Sequence, residues 1–186
     1  MISKNNAIIG KQRITPTILA LLLLFSITGC TTYPQRTTLY DRPQVYFSPE
    51  GKIKSHIISA INNSRVSIDV AMFDFTSQDI KVALEKARNR GIVIRLIADS
   101  RQYKGPHSVV QSLIDSGFNI KIVKGEGRGI MHNKFAIFDK VLLFTGSYNW
   151  TDSAERYNYE NAIFLSNQNT VKQYQEEFER LWRLNE

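Results

Sequence analysis

The sequence predicts an α/β domain, with a mixed, largely parallel central sheet flanked by helices on both faces. Three observations carry this expectation. Strand-like and helix-like segments alternate from about residue 45 onward. Arg65 to Ala98 reads as strand, helix, strand over about thirty-five residues, long enough for a right-handed crossover between parallel strands. Ile92 to Ala98 is apolar except for Arg95, as expected of a central strand covered on both faces.

Each element has its own pattern. Val45-Tyr46-Phe47 is a short strand. Lys52 to Asn62 is a helix with Ile53, Ile57, Ile58 and Ile61 on one face, ended by Asn62-Asn63-Ser64. Arg65 to Phe75 alternates as a strand, with Val66, Ile68, Val70 and Met72 on one side. Ser77 is placed to N-cap a helix that ends near Arg90, with Gly91 closing it; Ile80, Ala83, Leu84 and Ala87 form its buried stripe. A helix over Ser108–Ser116 buries Val109, Val110, Leu113 and Ile114, and a strand follows at Asn119–Val123. Lys124 to Gly129 is glycine-rich. No helix follows on which a phosphate could sit, so it reads as a flexible loop. Strands at His132–Phe138, Val141–Thr145 and Glu160–Leu165 come next. Val171, Tyr174, Phe178, Leu181 and Trp182 mark a closing amphipathic helix.

Chemistry concentrates between residues 131 and 149. His132 and Lys134 are two apart at the head of an apolar run, and residues i and i+2 of a strand share a face. An imidazole beside an ammonium suits a phosphate ester. The ammonium holds anionic oxygens, while the imidazole attacks phosphorus or moves a proton. Asp139 stands where the run stops. Ser147 and Asn149 lie past the next run and offer neutral hydrogen-bond donors to the same phosphate. No Asp/Glu/His cluster has metal-ligand spacing, so no metal or other cofactor is expected. Asp69, Asp74 and Asp99 are read as strand-end residues, solvated or hydrogen-bonded near the catalytic edge of the sheet.

The stretch reads His-x-Lys, four residues, Asp, six residues, Gly-Ser-x-Asn. It resembles the signature of the phospholipase D superfamily at every fixed position. The resemblance extends over about Val45 to Leu184 and is nearest to the small, single-motif bacterial nucleases. It implies a phospholipase D-like domain in which His132 is the nucleophile and forms a phosphohistidine. Glu160 would fix the His132 tautomer. Lys134, Ser147 and Asn149 would hold the nonbridging oxygens, and Asp139 would orient a neighbour or neutralise a cation. Long members carry two motifs and this chain carries one, so the resemblance also implies a symmetric homodimer. Two His132 side chains would then meet on one phosphate, one attacking and one protonating the leaving oxygen.

Hydrophobic residues make up 42% and charged residues 22%, which are globular values. The net charge of +7 points to an anionic partner. Lys121, Lys124 and Arg128 could line a path for a polyanion. Residues 1–29 read as a signal peptide of lipoprotein type, with a basic leader at Lys4, Lys11 and Arg13, an apolar core from Ile18 to Phe25 and a small-residue exit. Removing them leaves a charge of +4. Ile27-Thr28-Gly29-Cys30 resembles a lipoprotein box. Cys30, the sole cysteine, is then the site of lipidation, the alternative being an ordinary secretory signal with Cys30 a bystander, and residues 30–44 are a polar tether to the domain at 45–186. The expected location is outside the cytoplasm, periplasmic or anchored to the outer membrane of a Gram-negative bacterium.

The leading expectation is an exported, metal-independent nuclease acting on DNA without sequence preference, with RNA left open as a further substrate. One alternative is a phospholipase acting on membrane lipid. The other is a catalytically silent nucleic-acid-binding protein of the cell envelope.

Overall fold

The computed structural model describes residues 42–184. The signal peptide, Cys30 and nearly all of the tether lie outside the described residues. Gln44, expected at the end of the tether, instead opens the first strand.

Seven strands form one sheet. In chain order they are β1 (Gln44–Phe47), β2 (Ser67–Met72), β3 (Val93–Asp99), β4 (Asn119–Val123), β5 (Lys134–Phe138), β6 (Leu142–Gly146) and β7 (Asn161–Leu165). They lie side by side as β1-β7-β6-β5-β2-β3-β4. The helices are α1 (Ile53–Asn63), α2 (Gln78–Asn89), α3 (Val110–Asp115), α4 (Asp152–Arg156) and α5 (Gln168–Arg183). The β2-α2-β3 crossover is present and its strands are parallel, with Ile68 beside Ile94 and Val70 beside Leu96. β3 and β4 are parallel as well.

The sheet is mixed as expected, but it is not largely parallel. The β2–β5, β5–β6, β6–β7 and β1–β7 ladders are all antiparallel. The reason is local. Asp139 and Lys140 both adopt positive φ (53° and 58°), the conformation of a tight hairpin turn, and β5 folds straight back as β6. No helix intervenes to carry the chain round in parallel.

Strand alternation sorts the core into two layers. Ala136, Phe138, Ile68, Val70, Leu96 and Phe144 face α1, α2 and α3. Phe135, Ile137, Ala71, Ile97 and Leu143 face α5, whose Val171, Phe178, Leu181 and Trp182 cover them. Burying Phe178 alone contributes about 2–3 kcal/mol. Val66 departs from its expected face: it precedes β2 and is 65% exposed.

Arg95, the one charge in the apolar run of β3, has a place on the α5 side. It donates to Asp69 Oδ1 and Oδ2 at 2.7 and 2.9 Å and to Glu179 Oε1 at 2.6 Å. Its guanidinium lies 4.8 Å above the Phe178 ring. The central strand tolerates a cation here because α5 brings it a carboxylate and an aromatic face.

Candidate active site

The strand directions put one edge of the sheet at the service of the motif. The C-terminal ends of β2, β3 and β6 and the N-terminal ends of β5 and β7 all reach this edge. His132 and Asn133 precede β5, which begins at Lys134. Phe73, just past β2, takes the place between them: its backbone N–H donates to Asn133 O at 2.9 Å. The Phe73 ring meets the His132 ring edge to face at 4.5 Å, and Lys134 Nζ lies 4.9 Å from the centre of the same ring. The two side chains thus meet on one aromatic surface that the motif does not contain, although His132 precedes the strand on which their shared face was expected.

Lys134 is 9% exposed and donates to the carbonyl of His132 at 2.8 Å. Burial pushes its ammonium below the ordinary range, against the upward pull of Glu160 and Asp74. His132 is exposed. Partial desolvation of the ring, followed by the cation of Lys134, holds its imidazole below its ordinary value, while Asp99 pulls it up. A neutral ring at physiological pH is the form that can attack phosphorus.

Asp99 is fully buried at the end of β3. Its Oδ2 accepts from Met131 N–H at 2.9 Å and its Oδ1 from Arg101 and Gln102 N–H. It therefore pins the backbone one residue before His132, a role within the hydrogen-bonding reading of the strand-end acids.

β6 and β7 bring up the rest. Gly146 lies so close to β7 that a Cβ there would collide with the Asn161 carbonyl. This approach lets Ser147 Oγ donate to Glu160 Oε2 at 2.5 Å, while Asn161 N–H donates back to Ser147 Oγ at 3.1 Å. Glu160 Oε1 accepts from Asn158 Nδ2 at 3.1 Å. Asn149 is half-buried, and its amide oxygen is buried with no hydrogen-bond partner among the described residues.

Three expected roles change. Glu160 does not orient His132 of its own chain: its oxygens are taken by Ser147 and Asn158, and neither His132 ring nitrogen has a hydrogen bond among the described residues. Asp139 is not brought to the site. It opens the turn after β5, about 17 Å along an extended strand from Lys134. Its carboxylate accepts from the backbone N–H groups of Arg65, Val66 and Ser67 at 2.8–3.1 Å. Asp139 fastens the start of β2 to the β5–β6 turn. Lys121 also leaves the expected polyanion path. It donates to Trp182 O at 2.6 Å and packs on that indole, tying β4 to α5. Lys124 and Arg128 remain exposed, and Lys124 shares a cavity of about 580 Å³ with His132, Met131, Leu181 and Arg180.

Phe73, Asp74 and Asn158 bear on the site and stand outside the motif. The signal for the first two was their position just beyond a parallel strand, where open α/β sheets bind ligands. Among the described residues no group of three or more His, Cys, Asp or Glu could hold a metal ion.

The family described as cardiolipin synthase, PLD-like domain, matches residues 57–182. The chain belongs to the phospholipase D superfamily. Among its solved phospholipase D-like relatives is Nuc from Salmonella typhimurium, a phospholipase D family member. It is 32% identical with a TM-score of 0.70, over 76% of this chain and 93% of that one. NucT from Helicobacter pylori is 27% identical with a TM-score of 0.69, over 76% and 95%. Mitochondrial cardiolipin hydrolase of Canis lupus familiaris is 34% identical over 128 residues, 69% of this chain and 50% of that protein. The human protein of that name matches to the same extent, so the chain spans about half the length of these curated relatives.

Proposed function

We propose that this chain is an exported phosphodiesterase acting as an endonuclease on DNA, without an extended recognition sequence and without a metal. The observation that carries the reading is the convergence of His132, Lys134, Ser147, Asn149 and Glu160 on one sheet edge. These groups fit the roles of nucleophile, phosphate clamp and carboxylate. His132 attacks phosphorus, forming a P–N bond as the leaving P–O bond breaks, and Lys134, Ser147 and Asn149 neutralise the nonbridging oxygens. Water then breaks the P–N bond and frees His132. The exposed cations Lys124 and Arg128 favour a polyanion.

The site is completed by a second copy. One chain offers one motif histidine, and the leaving oxygen needs its own acid. His132 is exposed, neither of its ring nitrogens has a hydrogen bond among the described residues, and the Glu160 oxygens accept from Ser147 and Asn158. Apolar surface also gathers at this edge: Phe47 is 63% exposed, Tyr157 76% and Tyr159 94%, on segments that flank Glu160. Export and anchoring rest on residues 1–30, and loss of lipid labelling in Cys30→Ser is the expected result.

A second reading, hydrolysis of a phospholipid, is favoured by the relatives named cardiolipin hydrolase. It is also favoured by the aliphatic wall of the His132 cavity, formed by Val123, Ile130, Met131, Leu181 and Leu184. Purified protein and His132→Ala should be incubated in EDTA with plasmid DNA and with vesicles of labelled cardiolipin. The proposal expects DNA cleavage by the wild type alone. Turnover of lipid with intact DNA would overturn it.

A further inference from the structure

A groove of about 730 Å³ opens beside the catalytic edge and shares no lining residue with the cavity that contains His132. Its wall is built from the segment after β2, the start of α2, the loop before α3 and the two ends of α4. The groove touches the site at three points. Asp74 acts on Lys134, Asn149 belongs to the motif, and Asn158 holds Glu160. A chain whose phosphate sits on Lys134 would therefore put one neighbouring group into this groove.

That neighbour is not another phosphate. None of the lining residues is Lys or Arg, and His107 is the one basic side chain on the wall. The walls instead offer acceptors and amides: Asp74, Asn149, Thr76, Gln78 and Asn158. Asp152, also on the wall, is committed to Lys54 at 3.2 Å, which leaves Asp74 as the carboxylate available to a ligand. Asp74 receives a hydrogen bond from the backbone at Phe75 and forms no ion pair among the described residues. The amide oxygen of Asn149 is buried, without a partner among the described residues, and stands behind the wall rather than on it. The groove is thus rich in hydrogen-bond acceptors and poor in positive charge, the complement of an uncharged group that carries N–H donors.

Resting on the nuclease reading of the same site, we propose that this groove is a nucleobase subsite. It takes the base next to the scissile phosphate and favours one with an exocyclic amine. Asp74 accepts from that amine, as carboxylates do from cytosine N4. Cytosine, adenine and guanine present an exocyclic amine on the edge displayed by an unpaired strand, whereas thymine offers there one N3–H between two carbonyl oxygens, which an acceptor-rich wall opposes. Asn149 and Gln78 complete the polar wall.

The test uses the full-length protein and single-stranded oligonucleotides of thymidine that carry one dC, dA or dG at a fixed position, with cleavage sites mapped. Wild type should cut beside the inserted base roughly tenfold faster than within the thymidine tract. In Asp74→Asn the ratio between dC and thymidine sites should collapse toward one, whatever the overall rate. Gln78→Ala, an exposed change at the first residue of α2, should lower the ratio in part, and it carries the test should Asp74→Asn not fold. An even cutting pattern in the wild type would overturn the proposal. So would an equal loss on all substrates in Asp74→Asn, which would mean that Asp74 acts through Lys134 alone. A variant that keeps the ratio but shifts from dimer to monomer in sedimentation would assign the groove to a second copy and overturn it too. Activity on cardiolipin with no cutting of any oligonucleotide would instead remove the nuclease reading, and this proposal with it.

Discussion

Asp139 lies inside the signature, yet its surroundings are those of a structural clamp. The Asp139→Ala and Asp139→Asn pair separates the two roles. The native carboxylate accepts from three successive backbone N–H groups, and the residue sits at φ 53°. A charged hydrogen bond is worth ~1.5–3 kcal/mol when desolvated. Arg65 and Val66 are exposed, so water replaces much of the loss and roughly 1–2 kcal/mol remains in total. Alanine in the left-handed region adds about 1 kcal/mol, whereas Asn tolerates that region and keeps one acceptor. Asp139→Ala should therefore cost ~2–3 kcal/mol and Asp139→Asn about 1 kcal/mol. For a domain of this size each kcal/mol lowers Tm by roughly 2–4 °C. Thermal melts followed by circular dichroism should show a fall of about 4–12 °C for Ala and a few degrees for Asn. Turnover by both variants, measured well below their Tm, should stay near that of the wild type. A wild-type Tm for Asp139→Asn with turnover reduced a hundredfold would refute this reasoning and return Asp139 to the chemistry.

Other outcomes follow from the same geometry. His132 must be neutral to attack and its imidazole is held below the ordinary value, so the acid limb of kcat/KM should lie below pH 6.5. Lys134→Met removes a cation that lowers this value, so NMR titration should find the His132 pKa raised; a further fall would contradict the assignment. Gly146→Ala would drive a Cβ into the β7 backbone and separate Ser147 from Glu160. It should lower activity at least tenfold and destabilise by ~2 kcal/mol or more, checked by chemical denaturation. A heterodimer of wild type and His132→Ala should fall far below half of wild-type activity, because each composite site would lack one histidine. Retention of half would show that each subunit works alone.

How far the sequence carried the account depended on what each residue's neighbours were. The β2-α2-β3 unit was legible because Ile68, Val70, Ile80, Leu84, Leu96 and Ala98 repeat at strand and helix periods set by one shared core. His132, Lys134, Ser147 and Asn149 were legible because their spacing spans one hairpin, β5–β6, and hairpin geometry is local. The predominance of antiparallel pairs was not. It follows from the turn at Asp139-Lys140 and from β7 pairing with both β6 and β1, and strand order is not written in periodicity. Asp139 was misread because its partners are backbone N–H groups more than seventy positions earlier. Lys121 was misread for a similar reason: an exposed-looking lysine in a short strand gives no sign that Trp182 will cover it. Helix α4 went unseen because five residues carry too little pattern, although Thr151 caps it by accepting from Ala154 N–H at 3.1 Å. Asn158 was invisible as a partner of Glu160 because both depend on the loop between α4 and β7.

The central claim is that His132 takes the phosphoryl group before water does. The stereochemical course at a chiral phosphorothioate diester tests this directly, with hydrolysis run in isotopically labelled water and the product's configuration assigned. Each in-line displacement inverts phosphorus. Two successive displacements, through phosphohistidine on His132, predict overall retention. Inversion would mean a single attack by water and would contradict the account.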